Sequence, residues 1–214
     1  MKEYVRSLVD RSSTISEAGL MVREYLQARV LEALQRAGAF QTWAFLGVTA
    51  LRFLYRLPRF SEDLDFSRID ADPSEQVMKE EFRRFIGRVK KTFEAESYDV
   101  AVRVRPDAVV QSAFVGFAGL FHELGLSPHA EKKISIKVEV DSRPPPNATT
   151  ETSIVRRHVL LNLFHYDKGS LLAGKLHALI HRSHVKGRDL YDLVWYLSDP
   201  AWPEPNLRLL KASL

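Results

Sequence analysis

The chain contains no cysteine among its 214 residues, so disulfide bridges and thiolate metal sites are excluded and a cytoplasmic location is permitted. It also has no apolar run of transmembrane length. Its first residues, Met1-Lys2-Glu3-Tyr4-Val5-Arg6, lack the apolar stretch of a signal peptide, so no membrane association is expected. Internal repeats and extended low-complexity tracts are missing. None of the seven histidines falls in an H-E-x-x-H arrangement, and His177 with His181 at i, i+4 lacks the further ligands of a zinc site. A strong charge of either sign is absent too. The formal net charge of +4 draws polyanions only mildly, which is compatible with RNA or nucleotide substrates and diagnostic of neither.

What is present is enough apolar material, 45% of residues, to bury one large core, either as a single domain or as a domain with a helical annex. From Thr14 to Ala37, residues Ala18, Met21, Val22, Tyr25, Leu26, Val30 and Leu34 recur at helical spacing, and Gly38 stops the pattern. Trp43 to Leu46 reads as a short buried strand leading into Gly47. A brief helix over Thr49 to Tyr55 follows, closed by Pro58. The run Asp72-Pro73-Ser74-Glu75 has the form of a helix start, with Asp72 as N-cap and Glu75 reaching back. The helix it opens runs to about Ala95, with Val77, Met78, Phe82, Phe85, Ile86, Val89 and Phe93 as its apolar stripe and Arg83, Arg84, Arg88, Lys90 and Lys91 as a solvated face.

Beyond that helix the period changes to two. Val100, Val102 and Val104 alternate with Ala101, Arg103 and Arg105, and Ala113 to Phe117 offers a second apolar run. The clearest strand is Ile134 to Asp141, with Ile134, Ile136, Val138 and Val140 on one face and Ser135, Lys137, Glu139 and Asp141 on the other. Arg143-Pro144-Pro145-Pro146-Asn147 marks a loop and a candidate boundary. In the last third, a helix anchored by Leu172, Leu176 and Leu179 places Lys175, Ala178 and Arg182 on another side. A second helix after Gly187 carries Asp189, Asp192 and Tyr196 along one face and leaves Leu190, Val194 and Leu197 for packing; Asp192 is read as structural or solvent-facing.

The chemistry concentrates in Ser61-Glu62-Asp63-Leu64-Asp65-Phe66. On an extended strand Ser61, Asp63 and Asp65 share one face, and two acids aimed at one place repel unless a cation joins them. Mg²⁺ takes oxygen ligands, commonly one or two carboxylates with substrate phosphates. A third carboxylate is expected from a neighbouring strand: Glu139 is the first choice, and Asp141 shares its face. Gly47 between a strand and a helix start, with Thr49 two residues on, supplies backbone N–H groups and a hydroxyl where phosphate oxygens can dock.

In order and spacing, Gly47-Val48-Thr49-Ala50-Leu51-Arg52 with Leu57-Pro58-Arg59-Phe60-Ser61-Glu62-Asp63-Leu64-Asp65-Phe66 resembles the first motif of the AbiEii/AbiGii-type nucleotidyltransferase toxins, within the polymerase-beta-like superfamily. Lys137-Val138-Glu139-Val140 is similar to the second motif. Ala173-Gly174-Lys175-Leu176-His177-Ala178-Leu179 with Arg188-Asp189-Leu190-Tyr191-Asp192 is similar to the third. The resemblance implies an α+β fold, a mixed sheet flanked by helices. Residues 1–147 would form the nucleotidyltransferase sheet domain with its N-terminal helix, and 148–214 a mainly helical part completing the nucleotide site. It further implies that Asp63 and Asp65, with Glu139, ligate Mg²⁺ or Mn²⁺. Gly47, Thr49, Ser61, Lys137, Lys175 and Arg188 would contact the NTP, and Lys175 and Asp189 would act in catalysis. The expected reaction moves NMP from NTP to an acceptor hydroxyl, with the tRNA acceptor end favoured and a protein hydroxyl second, and the expected partner is an antitoxin. Val48 stands where many relatives carry glycine or serine. That departure motivates the alternative of a degenerate nucleotide- or RNA-binding module.

Overall fold

A computed structural model describes residues 2–69, 74–105 and 109–214. Helix α1 (Lys2–Asp10) leads into α2 (Ile15–Ala37), whose first turn is capped by the Thr14 hydroxyl accepting from the Glu17 N–H. Gly38, in the left-handed region at φ 87°, closes it. Strand β1 (Trp43–Leu46), helix α3 (Gly47–Tyr55) and strand β2 (Asp63–Arg68) come next, followed by helix α4 (Glu75–Ala95). Asp72 and Pro73 lie outside the described residues; the side chain that caps α4 is Ser74, accepting from the Val77 N–H. Strands β3 (Val100–Arg105) and β4 (Val110–Phe117), a short helix α5 (Leu120–Glu123) and β5 (Ile134–Asp141) complete the middle of the chain.

The part from residue 148 opens with strands before its helices. Strands β6 (Thr150–Arg157) and β7 (Val159–Tyr166) form a hairpin that joins the same sheet, and only then do α6 (Lys168–His181), α7 (Gly187–Leu197) and α8 (Leu207–Ser213) follow. The seven strands lie in the order β3-β4-β5-β2-β1-β7-β6, with β2 parallel to β5 and β1 parallel to β7. The proline loop at 144–146 is therefore a crossing within one sheet and not its edge. As an edge strand with one face open, β6 shows little apolar alternation, and its signal lies in the β-branched residues Thr150, Thr152, Ile154 and Val155.

Two faces of the sheet have different tasks. Even-numbered residues of β2 point toward α4: Phe66 packs on Trp43 at 5.7 Å between ring centroids, and Trp43 packs on Phe82 and Phe85. The α4 stripe is as read from the sequence except at its start, where Val77 is exposed. Helix α2 is buried on nearly every side, so that Glu24, Gln27 and Arg29 also sit inside, each engaged in a polar contact. Odd-numbered residues of β2 and β5 occupy the opposite face, beside α3 and α6, and here the site is built.

Candidate active site

Strand register brings the acids together. Asp63 pairs with Lys137 across the parallel β2–β5 ladder, Asp65 with Glu139, and Ser67 with Asp141. Paired residues share a face, so Asp63, Asp65 and Glu139 stand side by side, with the Lys137 ammonium 2.7 Å from the Glu139 carboxylate. Asp141 lies one pair further along and accepts the Arg143 backbone N–H at 2.9 Å, which holds it in the following turn. Ser61 precedes the strand instead of belonging to it, its carbonyl accepting from Gln27.

Burial raises the Asp63 carboxyl above the usual range; Lys137 opposes this, and Glu139 and Glu62 add to it. Burial likewise pushes Asp65 up, to about 7, reinforced by Asp63 and Glu139 against the weaker pull of Lys137 and Lys175. Both shifts come first from burial, and like-charged neighbours add to it. Their oxygen donors are of the hard type that suits Mg²⁺. Among the described residues no three acidic or histidine side chains are grouped so as to hold a metal ion by themselves. Asp63, Asp65 and Glu139 thus offer the donors for an ion that substrate phosphates would help to complete.

Gly47 explains its own identity. Its φ is 77°, and a Cβ there would lie 2.5 Å from Asp65 Oδ2, so only glycine lets the start of α3 come this close to the acid. Val48 falls inside α3 with ordinary helical backbone, and the left-handed conformation is confined to its neighbour. Thr49 is fully buried and its hydroxyl donates to the Asp63 carbonyl, tying α3 to β2. It shapes the turn, but its hydroxyl is already engaged.

Facing Asp65 across a cavity of about 300 Å³ is the second half of the site, lined by Gly47, Asp65, Lys175, Arg182 and Tyr196 among others. The Lys175 ammonium is held 2.7 Å from Asp192 and 3.3 Å from Asp189. Arg182 also binds Asp189. Burial acts to raise the Asp189 carboxyl, yet bonds from Arg182 and Lys175 outweigh it and keep it below the usual carboxylate range. Arg188, expected to contact nucleotide, is exposed on α7. The guanidinium beside Asp189 belongs to Arg182, seven residues after Lys175 at the C-cap of α6.

Asp192 is fully buried and ion-paired, which fits the structural alternative of its reading and not the solvent-facing one. Arg59, from the loop feeding β2, grips it with Nε at 2.5 Å and Nη2 at 2.6 Å. One node, Arg59–Asp192–Lys175–Asp189–Arg182, therefore joins the loop before β2 to α6 and α7. Helix α7 turns this polar face inward and leaves Leu190, Val194 and Leu197 exposed at 54%, 64% and 72%, the reverse of the packing expected from their hydrophobicity. A lysine at position 59 keeps the charge but loses the planar two-point grip. Arg59→Lys is expected to destabilise the fold by about 1–2 kcal/mol, read from urea unfolding; an unchanged midpoint would show the fork to be dispensable.

A mixed sheet with paired acids beside a glycine turn defines a nucleotidyltransferase-class protein. Two solved structures share the fold. JHP933 from Helicobacter pylori superposes with a TM-score of 0.56 at 22% identity, over 85% of this chain and 67% of that one. A candidate nucleotidyltransferase from H. pylori gives 0.50 at 23% identity, over 81% and 69%. No protein of curated function matches significantly. The family model described as nucleotidyl transferase AbiEii toxin, type IV toxin–antitoxin system, matches residues 29–214. The chain belongs to the AbiEii family: it is a nucleotidyltransferase, with an NTP substrate and an antitoxin partner implied by that membership. Among the described residues no helix is long and apolar enough to cross a membrane.

Proposed function

We propose that this protein is a Mg²⁺-dependent toxin that transfers NMP from NTP to an acceptor hydroxyl, with the tRNA acceptor end as first acceptor and a protein hydroxyl as second. The observation that carries the reading is the register of Asp65 with Glu139 beside Asp63, with Asp65 facing Lys175 across one cavity. Asp63, Asp65 and Glu139 would hold the metal, which when bound supplies charge neutralisation on the phosphates and lowers the pKa of the attacking hydroxyl. Lys175 and the N–H groups at the start of α3 receive the triphosphate. Arg182 and Asp189 keep Lys175 in place. The acceptor oxygen forms a bond to the α-phosphorus, the bond from that phosphorus to the β-bridging oxygen breaks, pyrophosphate departs and the hydroxyl proton is released.

Each labelled NTP, incubated with Mg²⁺ and either total tRNA or a protein extract, tests this, with intact-mass analysis of the acceptor. One nucleotide added to an acceptor, absent with Asp63→Ala, is the expected result. Retention of NTP with no product across the screen would favour a binding module without catalysis, and shortened RNA would mark a nuclease.

A further inference from the structure

Tyr196 has a feature that the reaction above does not use. The side chain is 2% exposed, and its hydroxyl has no hydrogen-bond partner among the described residues. It follows Asp189 and Asp192 on the inward face of α7, and it lines the cavity that also contains Lys175, Arg182, Gly47 and Asp65. The ring cannot easily swing away, because Trp202 packs edge-on against it at 4.8 Å and Trp195 at 5.4 Å.

A buried hydroxyl without a partner costs stability, and phenylalanine would fill the same ring space without that cost. The neighbouring acid, Asp192, bonds Arg59 and Lys175 and accepts nothing from the Tyr196 hydroxyl. The rest of the cavity wall is mainly apolar, as at Leu51 and Leu171, with the cations Lys175 and Arg182, the acid Asp65 and the hydroxyl residues Tyr166 and Ser170. A donor beside two cations at the start of a helix suits an anionic oxygen.

We infer that the Tyr196 hydroxyl is a substrate-binding group that donates to a phosphate oxygen of the bound nucleotide, beside Lys175. This rests on the nucleotidyltransferase reading of the same cavity. The hydroxyl is left unpaired in the free protein and becomes paired on binding, so it contributes to nucleotide affinity at the expense of the free fold.

Tyr196→Phe removes only the hydroxyl. Calorimetric titration of wild type and variant with Mg²⁺-tripolyphosphate and with each of the four Mg²⁺-NTPs is the test, alongside thermal unfolding without ligand. The variant is expected to bind both ligand types about tenfold more weakly or worse, with a melting temperature equal to or above that of wild type. Unchanged affinity would overturn the inference and leave the nucleotidyltransferase reading in place. Weakening confined to NTPs would overturn the phosphate assignment, and a lowered melting temperature would reveal a structural hydroxyl. Failure of wild type to bind any NTP would overturn the functional reading and this inference with it.

Discussion

Asp65→Asn is expected to abolish nucleotide transfer, by about 10³-fold or more, while leaving the fold as stable as before or more so. The two halves of this expectation have one cause. Asp65 is packed against the backbone of Gly47 and set between Asp63 and Glu139, where burial and like charges both disfavour its ionised form. Asparagine keeps the shape and removes the repulsion, so the free protein loses nothing. What disappears, on the proposed reading, is a carboxylate oxygen that would ligate the metal opposite Lys175. Labelled-NTP transfer assays and thermal melts on the same preparations check both parts, and Mg²⁺ with NTP should raise the melting temperature of wild type far more than that of the variant. Transfer at wild-type rate, or loss of activity accompanied by a fall in melting temperature, would count against this account of Asp65.

The second large effect concerns stability. Glu24, deep in α2, accepts from Arg52 of α3, from Arg157 at the end of β6 with Nε at 3.0 Å and Nη2 at 3.1 Å, and contacts His158 Nε2 at 3.2 Å. Burial works to raise this carboxyl, but the bonds from His158, Arg157 and Arg52 overcome it and bring it from 4.5 down to about 2. Burial draws Arg52 down as well, yet an arginine stays protonated throughout the accessible range, so the acid limb belongs to Glu24. A depressed carboxyl contributes stability that is complete above the unfolded value and lost as pH falls toward the folded one. The window is therefore pH 4.5 to 2, and the amount is roughly 3 kcal/mol.

Glu24→Gln leaves two guanidinium groups facing no carboxylate. A cost of about 3–5 kcal/mol, or roughly 10 °C in melting temperature, is expected at neutral pH. Melts from pH 7 to pH 3 should show wild type losing its advantage over the variant as the pH drops below 4.5. A constant difference across that range would mean that Glu24 acts through packing and not charge.

Much of this architecture can be read from residue order. Thr14 and Gly38 bracket α2, the alternation from Ile134 to Asp141 describes β5, and Gly47 with the Asp63–Asp65 pair marks the catalytic face. These signals are local, since a cap, a period of two and a glycine turn each depend on neighbours in the chain. The β6–β7 hairpin was less legible because an edge strand needs no strict alternation. The inward turn of α7 contradicted hydrophobicity because three cations, Arg59, Lys175 and Arg182, pair with the buried Asp189 and Asp192 and reward their burial more than solvent penalises Leu190, Val194 and Leu197.

The sequence by itself determined the chemical types at the site: paired acids, a glycine turn, a lysine on a helix and an Asp-rich helix after it. Only the tertiary structure decided which of them meet. Register sets Glu139, and not Asp141, opposite Asp65; Arg182 replaces Arg188 beside Asp189; Thr49 turns its hydroxyl inward; and Arg59 reaches Asp192 across 133 positions. Strand pairing and buried ion pairs act between segments far apart in the chain, so no local pattern encodes them, and it is these long-range contacts that turn a set of charged residues into a site.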